Sequence, residues 1–174
     1  MAVVPTAEAA LHASRAGATI VQLRSRQVPV SELEAEAELA VTICEVPVLI
    51  SSRMDVALSS GAAGVNLRED DPPVSAARGL LGSGALVGRS VHSAAGAVQA
   101  QIDGADYVLF GPVFASRSHP GAGGQGLEAL RVVAAAVGIP VLAIGGVERR
   151  RVPECLAAGA TGYASIGVFE AGWR

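Results

Sequence analysis

The sequence predicts an α/β protein built as a (β/α)8 barrel, trimmed at both termini to seven full strands plus one short N-terminal strand. Three observations predict it. Short apolar runs alternate with alanine-rich helical stretches along all 174 residues, the order expected of parallel βα units. The pair Gly-Ala stands just before every second strand, at Gly17-Ala18, Gly61-Ala62, Gly104-Ala105 and Gly159-Ala160. The doubled unit therefore recurs at 44, 43 and 55 residues. A twofold alternation of strand types suits a closed barrel, whose interior layers draw on alternate strands. An open doubly wound sheet gives no reason for it, and no strand is followed directly by Gly-x-Gly-x-x-Gly.

The elements follow in order. Met1–Val4 is the remnant of the first strand, ahead of a helix over Thr6–Ala16. Apolar runs then place strands at Thr19–Arg24, Pro47–Ser52, Gly64–Arg68, Leu86–His92, Tyr107–Val113, Pro140–Gly146 and Gly162–Val168. Helices fill the intervals at Ser31–Glu45, Met54–Ser60, Val74–Leu81, Ala94–Asp103, Leu127–Val137 and Arg150–Ala158. A glycine at the end of a helix predicts a left-handed cap. After Val168 six residues remain, too few for a closing helix, so apolar surface is expected near both ends and a homodimer is a plausible way to cover it.

Composition bounds the function. With 51% hydrophobic and 17% charged residues, the chain reads as one folded domain over 1–174. No apolar run is long enough for a membrane span, and the first residues do not read as a secretory signal, so a cytoplasmic protein is expected. A net charge of −3 and 3% aromatics exclude a nucleic-acid footprint. All 13 basic residues are arginines, which excludes Schiff-base chemistry on a lysine. Cys44 and Cys155 fit no metal or redox spacing and read as reduced thiols.

In a barrel of this kind chemistry gathers at the C-terminal ends of the strands. Period-two alternation puts Gln22 with Arg24, Asn66 with Arg68, and Ser90 with His92 on common faces there. The last two strands end in Gly145-Gly146 and in Ile166-Gly167-Val168. Glycines at that position either form tight turns or let exposed N–H groups cradle a phosphate. His12 lies in an alanine-rich helix and reads as a surface residue. The glycine-rich loop Ala115–Gly126 is the longest connection and a candidate lid. It carries Ser116, a candidate substrate contact, and His119, a candidate proton carrier. Arg149-Arg150-Arg151 beside Glu148 reads as a solvated face.

Four stretches together resemble the thiamine-phosphate synthase family: Val21-Gln22-Leu23-Arg24, Gly88-Arg89-Ser90-Val91-His92-Ser93, Gly104-Ala105-Asp106-Tyr107-Val108-Leu109-Phe110-Gly111-Pro112-Val113-Phe114 and Ala143-Ile144-Gly145-Gly146. The second is most similar to the TenI branch. The resemblance implies a barrel that binds a thiazole phosphate, with the phosphate on the two glycine-bearing strand ends. It also implies that Ser51-Ser52 stand where the synthase has an Asn-Asp pair whose aspartate helps hold magnesium. Asp71 matches a second magnesium aspartate, and His119 stands where a lysine grips pyrophosphate. Tautomerases of the TenI branch carry a histidine where this chain has Pro112. The leading expectation is a TenI-like thiazole tautomerase in thiamine biosynthesis. It would use no cofactor, and His119, or else His92, would move the proton. A thiamine-phosphate synthase, needing magnesium, is the alternative enzyme. A non-catalytic binder of thiazole phosphate or thiamine phosphate is the third reading.

Overall fold

A computed structural model describes residues 1–25, 28–115, 123–166 and 169. Eight parallel strands follow in ring order: β1 (Ala2–Val4), β2 (Val21–Leu23), β3 (Val48–Ser51), β4 (Gly64–Leu67), β5 (Leu86–Val91), β6 (Tyr107–Phe110), β7 (Val141–Ala143) and β8 (Gly162–Tyr163). The ring closes where Ala2 bridges Ser165, with the Val3 N–H donating to Ser165 O at 2.9 Å. Helices α1 (Ala7–Arg15), α2 (Val30–Ile43), α3 (Met54–Ser60), α4 (Val74–Leu81), α5 (Ala94–Ile102), α6 (Gly126–Ala136) and α7 (Val152–Ala157) connect the strands. The fold is the (β/α)8 barrel read from the sequence, including its three-residue first strand.

The Gly-Ala pairs have one structural cause. Gly17, Gly61, Gly104 and Gly159 all adopt positive φ, between 69° and 96°. Each following alanine donates its N–H five residues back: Ala18 to Ala13, Ala62 to Ala57, Ala105 to Ala100 and Ala160 to Cys155, at 2.9–3.1 Å. This is the Schellman closure, in which a left-handed glycine turns the chain and the next N–H satisfies an orphan helix carbonyl. The small alanine then leads the chain under the helix into the next strand. Two helices open on side-chain caps: Thr6 Oγ1 accepts from the Ala9 N–H and Ser93 Oγ from the Gly96 N–H.

The core has two layers because successive strand residues face opposite ways. Outward residues such as Leu23, Ile50, Leu67 and Phe110 meet the alanine-rich helix faces, including Ala7, Ala10, Ala37, Ala40, Ala97 and Ala100. Inward residues Val3, Leu49, Tyr107, Leu109 and Ala164 fill the barrel interior. At the N-terminal end of the strands Arg78 of α4 donates to Gly104 O and Ala85 O and pairs with Asp106, whose carboxylate accepts the Val87 N–H at 2.7 Å. That network ties α4 to the loops entering β5 and β6.

Three expectations are corrected. The last strand was expected over Gly162–Val168, but among the described residues of that run its regular pairing covers Gly162–Tyr163, with Ser165 as an isolated bridge. Its partner β1 is itself three residues long, so little ladder is available to extend it. Arg149–Arg151 form a 3-10 turn ahead of α7 instead of its first helical residues. Arg149 and Arg150 are exposed as expected, but Arg151 is not simply solvated, since its guanidinium lies 4.3 Å from the centre of the Phe114 ring. Beside the seam, a groove of about 310 Å³ remains between α1 and the chain beyond β8. Val4, Pro5, Ala9, Ile166 and Phe169 line it, so apolar surface does lie near both ends.

Gly88 tests the interior packing. A methyl group there would lie 2.0 Å from Tyr107 Cζ. Gly88→Ala is expected to lower unfolding free energy in urea by about 1–3 kcal/mol, the range for overpacking a filled core. Combining it with Tyr107→Leu should return part of that loss, and a double variant no more stable than Gly88→Ala would reject the proposed clash.

Candidate functional site

The mouth of the barrel is built by inward parity. Gln22 stands in register with Val3 and Leu49, both interior residues, and is itself buried. Asn66 stands in register with Ser51 and Gly88 and is also buried. Its Nδ2 donates to Ser90 Oγ at 3.0 Å, joining two of the predicted residues directly. Among the described residues, Gln22 Oε1 and Asn66 Oδ1 are buried without a partner, as is the Tyr107 hydroxyl. Burial pushes the Tyr107 phenol far above its ordinary pKa, so it stays protonated. A buried acceptor without a donor costs about 1–3 kcal/mol, so two orphan amide oxygens below the rim mark a place where a hydrogen-bonding molecule would be welcomed.

His92 follows β5 and is held by its other ring nitrogen. Nδ1 makes a short hydrogen bond with Gly111 O, which also accepts Gln125 Nε2 at 3.3 Å. A carbonyl only accepts, so Nδ1 carries the proton and a neutral ring keeps Nε2 as its basic atom. Nε2 lies 3.9 Å from Glu69 Oε2. A histidine oriented in this way can take and return a proton at Nε2. Sequence reasoning missed Glu69, Gln125 and the Gly111 carbonyl. The signal for Glu69 was its place in Arg68-Glu69-Asp70-Asp71, immediately after β4.

Arg68, expected beside Asn66 at the mouth, pairs with Asp70 at 2.6 Å in its own exposed turn. Arg24 continues β2, its N–H donating to Val4 O at 2.9 Å. Asp71 accepts the Arg68 N–H at 2.6 Å, and its other oxygen lies 3.9 Å from Arg68 Nε. Ser52 adopts φ 65° and donates its N–H to Asn66 O at 3.0 Å. A non-glycine residue in that region is strained, and Asp or Asn tolerates it better than most. The next residue, Arg53, holds the Asp55 carboxyl down to about 2 by hydrogen bonding.

Gly145 and Gly146 have φ of 89° and 62°. A Cβ on Gly145 would lie 2.6 Å from Pro112 Cα, and one on Gly146 2.5 Å from Ala115 O. The tight-turn reading therefore holds: these glycines let the chain after β7 press against the chain after β6. Val113 and Phe114 donate to Ile144 O and Gly145 O at 2.9 and 3.0 Å, extending the β6–β7 pairing into the loops. Among the described residues, no backbone carbonyl accepts from the Gly145 or Gly146 N–H. Ile166 is exposed at the neighbouring strand end. Ser116, His119, Gly167 and Val168 lie outside the described residues.

Magnesium commonly takes one or two carboxylates together with substrate phosphate oxygens. Among the described residues no group of three His, Cys, Asp or Glu comes together, and Ser51-Ser52 carry no charge. Asp71, whose side chain is 13% exposed, is the carboxylate at this rim that fits such a role, with a diphosphate supplying the remaining oxygens.

A parallel (β/α)8 barrel with amides, an oriented histidine and glycine turns at the C-terminal strand ends is the architecture of a rim-site enzyme. The chain belongs to the thiamine monophosphate synthase family, whose model matches residues 2–169. It is 42% identical over 161 residues to a thiamine-phosphate synthase from Methanoculleus marisnigri, covering 88% of this chain and 75% of the relative. Identity to a synthase from Chloroflexus aurantiacus is 40% over 159 residues, covering 89% and 73%. A thiamine phosphate pyrophosphorylase from Pyrococcus furiosus superposes with a TM-score of 0.88 at 32% identity, over 99% of this chain and 88% of that one. These relatives are named for the synthase, the alternative enzyme of the sequence reading, and none for the tautomerase.

Ser52 provides a test of the strained rim. Ser52→Gly should raise stability by about 0.5–1 kcal/mol, the left-handed penalty less the entropy of a new glycine. The expected observation is a higher urea midpoint at unchanged slope. A lower midpoint would mean that the Ser52 side chain itself holds the turn.

Proposed function

We propose that this chain binds a thiazole phosphate at its mouth and joins it to a pyrimidine diphosphate with loss of pyrophosphate. This is the thiamine-phosphate synthase reaction in thiamine biosynthesis. The observation that carries the reading is the pair of orphan amide oxygens, Gln22 Oε1 and Asn66 Oδ1, below the rim of a chain 42% identical to a synthase. Those oxygens accept hydrogen bonds from ring substituents, with Ser90 holding the Asn66 amide in place. The N–H groups of Gly145 and Gly146 take the phosphate, together with those of Ile166, Gly167 and Val168. No side-chain cation is needed there, because oriented N–H groups suffice for an anion. Arg24 and Ser116 complete the substrate contacts. Asp71 would hold magnesium, which neutralises charge on a departing pyrophosphate.

The tautomerase is the second reading, and Ser52 favours it. A serine where the resemblance places a magnesium aspartate weakens support for a leaving pyrophosphate, whereas a proton shift needs no metal. In that reading His92 or His119 carries the proton, and the orientation of His92 now gives it a basic Nε2 at the mouth.

One experiment separates the readings. The protein is supplied with thiazole phosphate, pyrimidine diphosphate and magnesium, and pyrophosphate release is followed. Turnover is expected, and Ser52→Asp should raise kcat by up to about 10²-fold, the effect typical of one charge-stabilising group. If no pyrophosphate appears but a thiazole tautomer is consumed, the second reading holds, and His92→Asn or His119→Asn should then lower kcat by about 10²–10⁴-fold. Saturable binding without either reaction identifies a binder.

A homodimer belongs to the same proposal, with the groove beside α1 as its apolar face. Sedimentation equilibrium at micromolar concentration should show a dimer, and a monomer rejects it.

A further inference from the structure

Arg89 lies on β5 with the opposite parity to Ser90 and His92, so it faces out of the barrel. Its partner across the ladder is Leu67, the last residue of β4. The guanidinium therefore emerges where the turn Arg68–Pro73 begins. There it donates to three main-chain carbonyls: Nη1 to Pro72 O at 2.6 Å, and Nη2 to Glu69 O at 2.9 Å and Asp71 O at 3.1 Å. The same turn is held from within by Asp71, whose carboxylate accepts the Arg68 N–H at 2.6 Å.

This turn has few donors of its own. Pro72 and Pro73 have no N–H, and Pro73 already serves as the cap residue of α4. Carbonyls at Glu69, Asp71 and Pro72 therefore turn outward, and one planar fork of N–H groups satisfies all three. A guanidinium suits this because its five donors lie in fixed directions, whereas an ammonium offers a single nitrogen.

We propose that Arg89 is a positioning residue for the mouth. It grips the Glu69–Asp71 turn from outside the barrel, and so fixes the Asp71 carboxylate at the rim and the Glu69 carboxylate beside His92. Arg89 touches no substrate. Its effect passes through the main chain of the turn, and displacing catalytic groups by about an ångström is enough to cost about 10²-fold in rate. The functional consequence rests on the site proposed above, whereas the clamp itself can be read without turnover.

The test compares Arg89→Ala and Arg89→Lys with the parent protein in three measurements. Amide hydrogen exchange over peptides spanning Arg68–Asp71 should accelerate about tenfold or more in Arg89→Ala, with Arg89→Lys between it and the parent. Binding of thiazole phosphate should stay within about twofold, because the glycine turns after β7 lie three strands away around the ring. The kcat for the reaction found should fall about 10–100-fold in Arg89→Ala, and millimolar guanidinium chloride should restore part of it where sodium chloride does not. Unchanged exchange over Arg68–Asp71 overturns the clamp. Loss of thiazole phosphate binding and activity in parallel, without rescue by guanidinium, also overturns it, since that is the signature of general destabilisation. If exchange accelerates as expected while the parent protein neither binds thiazole phosphate nor turns over, the clamp stands and the proposed function falls.

Discussion

Closure of the ring through β1 is the constraint on which the other features depend. Only Ala2–Val4 stand between β2 and β8, and a few main-chain hydrogen bonds join them: Ala2 to Ile20 O, Val3 to Ser165 O and Ser165 to Met1 O, at 2.9–3.2 Å. With those bonds in place, β1 and β8 meet through one isolated bridge and the ring is nearly closed. Every strand then has a defined inward face, and the same alternation that seals Val3, Leu49 and Leu109 inside carries Gln22, Asn66 and Ser90 to the mouth. A one-residue slip at any strand would exchange its inward and outward residues and scatter the site. Asn66 and Ser90 meet across the paired strands β4 and β5, whereas curvature of the sheet toward its start brings Gln22 on β2 to the same mouth.

Much of that was legible because the signals were local. A glycine followed by alanine at a helix end states its own conformation, and the four pairs produced four equivalent closures. Strand parity needs only counting, which is why Asn66 and Ser90 could each be placed on the rim face of its own strand; that the two meet across β4 and β5 is shown by the structure. The weakest local expectation was β8. Gly162–Val168 reads as a strand, but pairing length is set by both neighbours, and among the described residues of the run a three-residue β1 meets only Ser165, in an isolated bridge. Sequence reports what a segment can do; the length of its ladder is decided by the strands beside it.

The missed residues share a different cause. Gln125 meets the Gly111 carbonyl across 14 residues, and Arg89 reaches carbonyls 17–20 residues back. Neither contact leaves a periodic trace. Main-chain carbonyls carry no residue identity, so a side chain that recognises one cannot be paired with it by composition. Gly145-Gly146 illustrate a related ambiguity. Tight turn and phosphate cradle are compatible, because the close packing on Pro112 and Ala115 belongs to the same backbone conformation in which, among the described residues, no carbonyl accepts from the Gly145 and Gly146 N–H groups. The family was legible from motifs spread over four strands. The branch was not, because it turned on single side chains such as Ser52 and His119, and close relatives carry the synthase name.

The charges of the chain connect these points. All its cations are arginines, and several at or near the rim are already engaged: Arg53 with Asp55, Arg68 with Asp70, Arg150 with Glu148, Arg151 on the Phe114 ring and Arg89 on three carbonyls. Guanidinium groups engaged in this way serve as fasteners between loops, a role their fixed fork suits. A phosphate arriving at the mouth would have to compete with those pairings or be received by the main chain. The glycine turn after β7 offers the second course, since N–H groups held by a rigid turn lose no side-chain entropy on binding. Division of labour follows from this. In the proposed site, arginines would stiffen the loops, amides and His92 would face the ring atoms, and the backbone would receive the anion. Such a site tolerates exchange of its surface cations far better than any change that moves the glycine turn or the Glu69–Asp71 turn.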